Sequence, residues 1–186
     1  MNVYSTRVVT LLSKDSFRLR ALDCVYELGL PDCYLAAGFV RNMVWDDLHK
    51  IWPPTPLEDI DVIYFNVSQQ DSGADKALQS KLCKLMPELN WQVKNQARMH
   101  ERNLDKPYIS TLDAMGYWPE KETAVGVRRV ESGSIECISA FGLESLFNGK
   151  LTRNPKRSQC VFEQRIEEKK WLGTWSQLKI SKAVVV

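Results

Sequence analysis

The sequence is short of nearly everything that would announce a role from composition. Its five cysteines, Cys24, Cys33, Cys83, Cys137 and Cys160, are odd in number and widely scattered. With no Cys-x-x-Cys pair and no Cys/His cluster at zinc spacing, they indicate neither a disulfide framework nor a structural zinc site. Free thiols in a reducing cytosol fit this usage best. No stretch approaches the roughly 20 apolar residues of a membrane span, and the opening MNVYSTRVVTLLSKDSF lacks the ordered regions of a signal peptide. A cytoplasmic protein with no membrane partner is the expectation. Net charge is scarce too, since 25 Lys and Arg against 23 Asp and Glu leave only +2, which argues for neither a nucleic-acid nor a membrane surface. Internal repeats and low-complexity segments are also missing. What is present, 186 residues that are 44% hydrophobic, suffices for one well-formed core. One domain over residues 1–186 is expected, with its core at about 13–157 and a terminal helix at about 158–176.

The chain is organised around residues 34–65, YLAAGFVRNMVWDDLHKIWPPTPLEDIDVIYF. Its first residues are an apolar run fit for a buried strand. After Gly38, the residues Phe39, Val40, Met43, Val44 and Leu48 recur at helical spacing. Pro53, Pro54 and Pro56 then forbid further helix, and residues 59–66 read as a second, half-buried strand. Elsewhere the spacing predicts a first helix over residues 13–30, capped by Ser13 or Asp15 and ended by Gly29 and Pro31. A polar loop at 69–75, a helix with its buried face at 77–86, a third strand at 91–97 and a short helix from Ser110 or Thr111 to about Trp118 follow. TAVGVRRV and SIECIS, joined by Glu131-Ser132-Gly133, make a hairpin pattern. Residues 141–147 read as a helical turn and 158–171 as a terminal helix, with the last residues fraying.

Two features of residues 34–65 carry chemistry. A glycine between strand and helix lets another group approach the backbone, where the free N–H groups of the helix start favour a phosphate. Arg41 could add a forked, permanent charge; the plainer alternative is a tight turn at Gly38 and a solvated Arg41. Asp59 and Asp61, two apart on a strand, project from the same face, and such paired hard oxygens suit Mg²⁺ or Mn²⁺. Alone, the same pair could simply open a strand at a solvated edge.

Together, AAGFVRN and EDIDVIYF resemble the head domain of tRNA CCA-adding enzymes and, more widely, the DNA polymerase β-type nucleotidyltransferases. AAGFVRN, DIDV, KNQARMH, TAVGVR and FGLESLF together resemble a bacterial nucleotidyltransferase-like family of about this length. The resemblance implies an α+β fold, a mixed sheet with helices packed around it, with Gly38 and Arg41 at a triphosphate and Asp59 and Asp61 as catalytic metal ligands. A nucleoside triphosphate is the implied substrate, with an unknown hydroxyl as acceptor. The sequence departs from the pattern at Ala37, where a glycine is usual, and at Asn42, where the CCA-adding enzymes have aspartate. It also ends without the neck, body and tail that hold tRNA, so a tRNA substrate is not carried over.

The third carboxylate of these enzymes, on the strand after the paired aspartates, is replaced by the amides of Gln92 and Asn95. Glu136 could take that role if its strand lies beside Asp61; otherwise it faces solvent. Asn42, Asn95, Arg98 and His100 are candidate nucleotide contacts, the last three in a dense polar run past a strand. Holding a loop in place is the competing role for that run. Asp113 and Glu120 read as solvated, His49 as a helix cap, and Trp118, Trp171 and Trp175 as core or lid. Arg153, Lys156, Arg157, Lys169 and Lys170 make the tail basic without aromatics placed to stack bases. Three functions stay open: Mg²⁺-dependent nucleotidyl transfer, a nucleotide- or metal-binding module without turnover, and a tRNA- or partner-binding protein.

Overall fold

In a computed structural model, which describes residues 2–181, two short helices come first, one of them ahead of the helix the sequence leads one to expect. α1 (Val3–Leu12) is capped by Asn2, whose side chain accepts from the Ser5 N–H, and it buries Val8 and Leu12. α2 (Ser16–Tyr26) starts afresh at Asp15, whose carboxylate accepts from the Arg18 N–H. α2 is the helix expected over 13–30, shorter at both ends and capped by Asp15, one of the two expected caps, whereas α1 precedes it and was not expected. β1 (Tyr34–Ala36) leads through Ala37 into α3 (Gly38–His49), and a proline-rich connection precedes β2 (Asp59–Tyr64). α4 (Ser72–Leu85) starts inside the expected loop, capped by Asp71. β3 (Asn90–Asn95), a 3-10 turn at Gln96–Arg98, α5 (Met99–Asn103) and α6 (Thr111–Met115) come next. The expected hairpin forms as β4 (Val125–Arg129) and β5 (Ile135–Ser139), followed by α7 (Glu144–Phe147), β6 (Lys150–Leu151), α8 (Gln159–Lys169), α9 (Trp171–Thr174) and β7 (Lys179–Ile180). The fraying expected of the last residues falls on 182–186, outside the described residues.

The main sheet has strand order β3-β2-β1-β4-β5. β2 and β3 are parallel while the other neighbours are antiparallel, so this is a mixed sheet. One face sends Leu35, Ile60, Val62, Trp91, Val93, Val125 and Val127 into the main core, together with the apolar sides of α1–α4, α8 and α9. Register decides what the other face carries, because directly opposed residues share a face. Ala36 lies opposite Asp61, and Asp61 opposite Gln92. Tyr34 is opposite Ile63, and Ile63 opposite Lys94. That second face is half apolar and half polar, and it forms the floor of a cleft.

The C-terminal segment closes back on α3. Trp171 and Trp175 meet the ring of Trp45 edge-on, with centroids 5.8 and 5.1 Å away. Trp175 Nε1 donates to Asp46 Oδ1 at 2.8 Å, and the Gln177 N–H donates to His49 Nε2 at 3.0 Å. His49 thus holds the C-terminal segment rather than a ligand.

Candidate functional site

The cleft has a volume of about 680 Å³ and is walled by the start of α3, the loop before β2, the cleft face of β2 and β3, α5, and α8–α9. At its head the chain turns sharply. Ala37 has φ 54° and ψ −121°, a conformation that L side chains rarely adopt. The turn aims the start of α3 at the cleft, and no side chain caps that start, so the first N–H groups of the helix stand open. A Cβ on Gly38 would meet Arg41 and Asn42 at no less than 3.5 Å. Nothing in the chain's own packing requires a glycine here.

Arg41, one turn into α3, is only 7% exposed. Its Nη1 donates to Thr123 Oγ1 at 2.9 Å, while Nε and Nη2 donate to Asn42 Oδ1 at 3.2 and 2.9 Å. The guanidinium also lies over the rings of Trp45 and Trp171, 5.0 and 4.5 Å from their centroids. Burial brings its pKa down to about 10, against the attraction of Glu120 and Asp61, so it stays charged at neutral pH. Asn42 lines the cleft, but its carbonyl oxygen is spent on Arg41.

Asp59 and Asp61 both line the cleft. Asp59 is exposed, and its Oδ1 accepts from Asn90 Nδ2 at 2.7 Å. Asp61 is half-buried. Burial raises its pKa, Arg41 opposes that, and Asp59 adds to it. Neither carboxylate joins an ion pair among the described residues. Gln92 is the residue opposite Asp61 on β3 and lines the cleft. No group of three or more His, Cys, Asp or Glu is set to hold a metal among the described residues.

Four expected contacts lie elsewhere. Glu136 is on β5, separated from β2 by β1 and β4, and its Oε2 accepts from Arg128 Nε at 2.5 Å; it does not reach Asp61. Asn95 is fully buried on the core side of β3, where its Oδ1 accepts from the Asn66 and Ala97 N–H groups and its Nδ2 donates to the Asn66 and Gln69 carbonyls. Arg98 is held by Asp75 and the Gln69 carbonyl. His100 packs edge-on against Tyr108 and does not line the cleft. For Asn95 and Arg98 the loop-holding role is the one the structure displays.

Sequence reasoning missed the contribution of α8. Arg165 and Lys169 line the cleft, and both act to lower the pKa of Asp61. Arg165 is anchored by Glu120, expected to be solvated but fully buried, with Nε donating to Oε1 at 2.5 Å. The spacing of Arg165 and Lys169, next to the buried Phe162 and Ile166, was the available signal: two cations one turn apart beside an apolar stripe.

A family model described as Nucleotidyltransferase matches residues 23–180. The chain belongs to that nucleotidyltransferase family. A solution NMR structure described as revealing a CCA-adding enzyme head domain is 30% identical to this family member, covering 96% of each chain with a TM-score of 0.84. A CCA-adding enzyme in complex with CTP shares the fold at 12% identity and a TM-score of 0.60, covering 96% of this chain and 43% of that one. The same enzyme type in complex with ATP matches at 14% identity and a TM-score of 0.60, with 94% and 43% covered. The chain thus spans less than half the length of those two CCA-adding enzymes. No curated protein matches the chain. No helix among the described residues is long and apolar enough to cross a membrane.

Proposed function

We propose that this nucleotidyltransferase-family protein transfers a nucleoside monophosphate from a nucleoside triphosphate to a hydroxyl acceptor, releasing pyrophosphate in a reaction that needs Mg²⁺ or Mn²⁺. The observation that carries the reading is the convergence, in one cleft, of an uncapped helix start at Gly38, the buried charge of Arg41 and the paired carboxylates Asp59 and Asp61. The open N–H groups of α3 receive phosphate oxygens, and Arg41 sets a fixed positive potential behind them. Arg165 and Lys169 extend that potential from the facing wall.

The residues present fit a hard divalent cation. Asp59 and Asp61 offer carboxylate oxygens outside any ion pair, and Asp61 is penalised for its charge by burial and by its neighbour. Triphosphate oxygens and water would complete the shell, as is usual for Mg²⁺. The chemistry such a cation supplies is neutralisation of phosphate charge and activation of the attacking hydroxyl.

A second reading, a nucleotide-binding module without turnover, draws on Gln92. It occupies the place opposite Asp61 where a carboxylate would act as base, and an amide cannot take the proton. The purified protein with each labelled nucleoside triphosphate and Mg²⁺ separates the two. Pyrophosphate release that disappears in both Asp59→Ala and Asp61→Ala supports transfer. Binding that depends on both aspartates but never turns over supports the module, and no triphosphate binding at all discards both.

A further inference from the structure

Positive charge in the cleft falls into two groups. Arg41, Arg165 and Lys169 surround Asp61 closely enough that all three act to lower its pKa. Lys94 and Arg102 also line the cleft but lie elsewhere. Because β2 and β3 are parallel, with Asp61 opposite Gln92 and Ile63 opposite Lys94, Lys94 projects from the cleft face about 7 Å beyond Gln92 toward the C-terminal ends of both strands. The 3-10 turn and α5, which carries Arg102, continue from that end. Of the acids lining the cleft, Glu58 and Asp59 lie at the start of β2, and Asp61 lies one pleat short of the Ile63–Lys94 pair. Lys94 and Arg102 are exposed, form no ion pair among the described residues, and have no carboxylate beside them on the cleft wall. A concave wall of unopposed positive charge draws an anionic occupant.

We infer that this end of the cleft binds the acceptor, and that the acceptor is a small hydroxyl compound bearing a phosphate monoester, such as a sugar or polyol phosphate. The inference rests on the transfer reading above. With the triphosphate drawn to Gly38, Arg41 and the acid pair, Lys94 and Arg102 hold the phosphate of the acceptor. Gln92, between the two groups, orients the acceptor hydroxyl through its amide. The hydroxyl oxygen then bonds to the α-phosphorus, the bond from that phosphorus to the bridging oxygen breaks, pyrophosphate leaves, and the hydroxyl proton passes to water. A nucleic-acid end would call for an exposed aromatic face on which to stack a base. Of the aromatic residues near this end, Tyr108 is 5% exposed and packs against His100 and Tyr117, while Trp118 is half-buried and packs against the cluster of Tyr34, Ile63 and Met115. A compact phosphate ester needs no such platform.

The test compares ribose 5-phosphate and glycerol 3-phosphate with ribose and glycerol, by calorimetry, on the wild type and on Lys94→Ala/Arg102→Ala. Mg²⁺-ATP binding and pyrophosphate release are measured alongside. The esters are expected to bind at least about tenfold more tightly than the parent alcohols, and the double variant to lose that advantage. Both side chains are exposed, so the variant is expected to fold, and its ATP affinity to stay within about twofold. Equal binding of ester and alcohol, or an ester affinity indifferent to the double substitution, overturns the inference. So does pyrophosphate release that responds to a short RNA and not to the esters. Ester binding that persists in a protein unable to bind or turn over ATP counts instead against the transfer reading.

Discussion

Replacing Asn95 by alanine removes four hydrogen bonds at once. The side chain accepts from the Asn66 and Ala97 N–H groups at 3.0 and 3.1 Å and donates to the Asn66 and Gln69 carbonyls at 2.7 and 2.9 Å. At about 0.5–1.5 kcal/mol net for each bond, the sum is about 2–6 kcal/mol. Asn66 and Gln69 are half-buried, so water entering the gap satisfies part of what is lost, and the expected loss is about 2–4 kcal/mol. For a chain of this size, 3 kcal/mol corresponds to a fall of about 6–12 °C in Tm. Urea unfolding followed by circular dichroism measures the first quantity, a thermal melt the second, and calorimetry with Mg²⁺-ATP the third. ATP affinity is expected to hold in the folded variant, because Asn95 lies on the core side of β3. A variant as stable as the wild type to within about 0.5 kcal/mol, or one that keeps its stability and loses ATP, would refute the reasoning and restore Asn95 as a ligand.

Further substitutions probe the site's construction. Asp61→Asn is expected to abolish transfer while stabilising the fold at pH 7. The raised pKa means that ionised Asp61 burdens the folded state above that value and not below the unfolded carboxylate value of about 3.9, so the urea midpoints of the two proteins should converge as pH falls to 4. Arg165→Ala strands the buried Glu120 and should cost about 2–3 kcal/mol, somewhat less than breaking a fully buried pair because the Arg165 side chain is 33% exposed. Adding Glu120→Gln should recover part of that loss in the same urea experiment, and failure to do so removes the ion pair as the cause. Ala37→Gly relieves the positive φ and should raise stability by about 1 kcal/mol, after allowing for the extra freedom of glycine in the unfolded chain; an unchanged midpoint would show the turn to be unstrained.

What could be read in advance was local. The strand, glycine-led helix and second strand of residues 34–64 follow from apolar periodicity and three prolines, and the placing of Asp59 and Asp61 on one face follows from the pleat. The hairpin of β4 and β5 needed only its own turn. Strand order was a different matter. Glu136 was a plausible neighbour of Asp61 only while the positions of β1 and β4 were unknown, and those positions depend on pairing between segments some 90 residues apart, Leu35 with Val127 among them. Asn95 and Arg98 carry the same donors whether they meet a nucleotide or Asp75 and Gln69, so composition alone could not tell a clasp from a contact. α1 was overlooked because VYSTRVVTLL is rich in β-branched residues, which lower helix propensity; its place comes from packing.

The grip of Trp171 and Trp175 on α3 bears on how the protein is made. A ribosome delivers α3 and the acid pair long before it delivers α8 and α9, and domains settle as units once their chain is available. Until the last segment emerges, Trp45 has no aromatic neighbours from that segment, Glu120 has no Arg165, and one wall of the cleft is missing. A nascent chain that has not yet reached α8 and α9 therefore carries the residues nearest the proposed chemistry without the wall that the proposed nucleotide pocket needs.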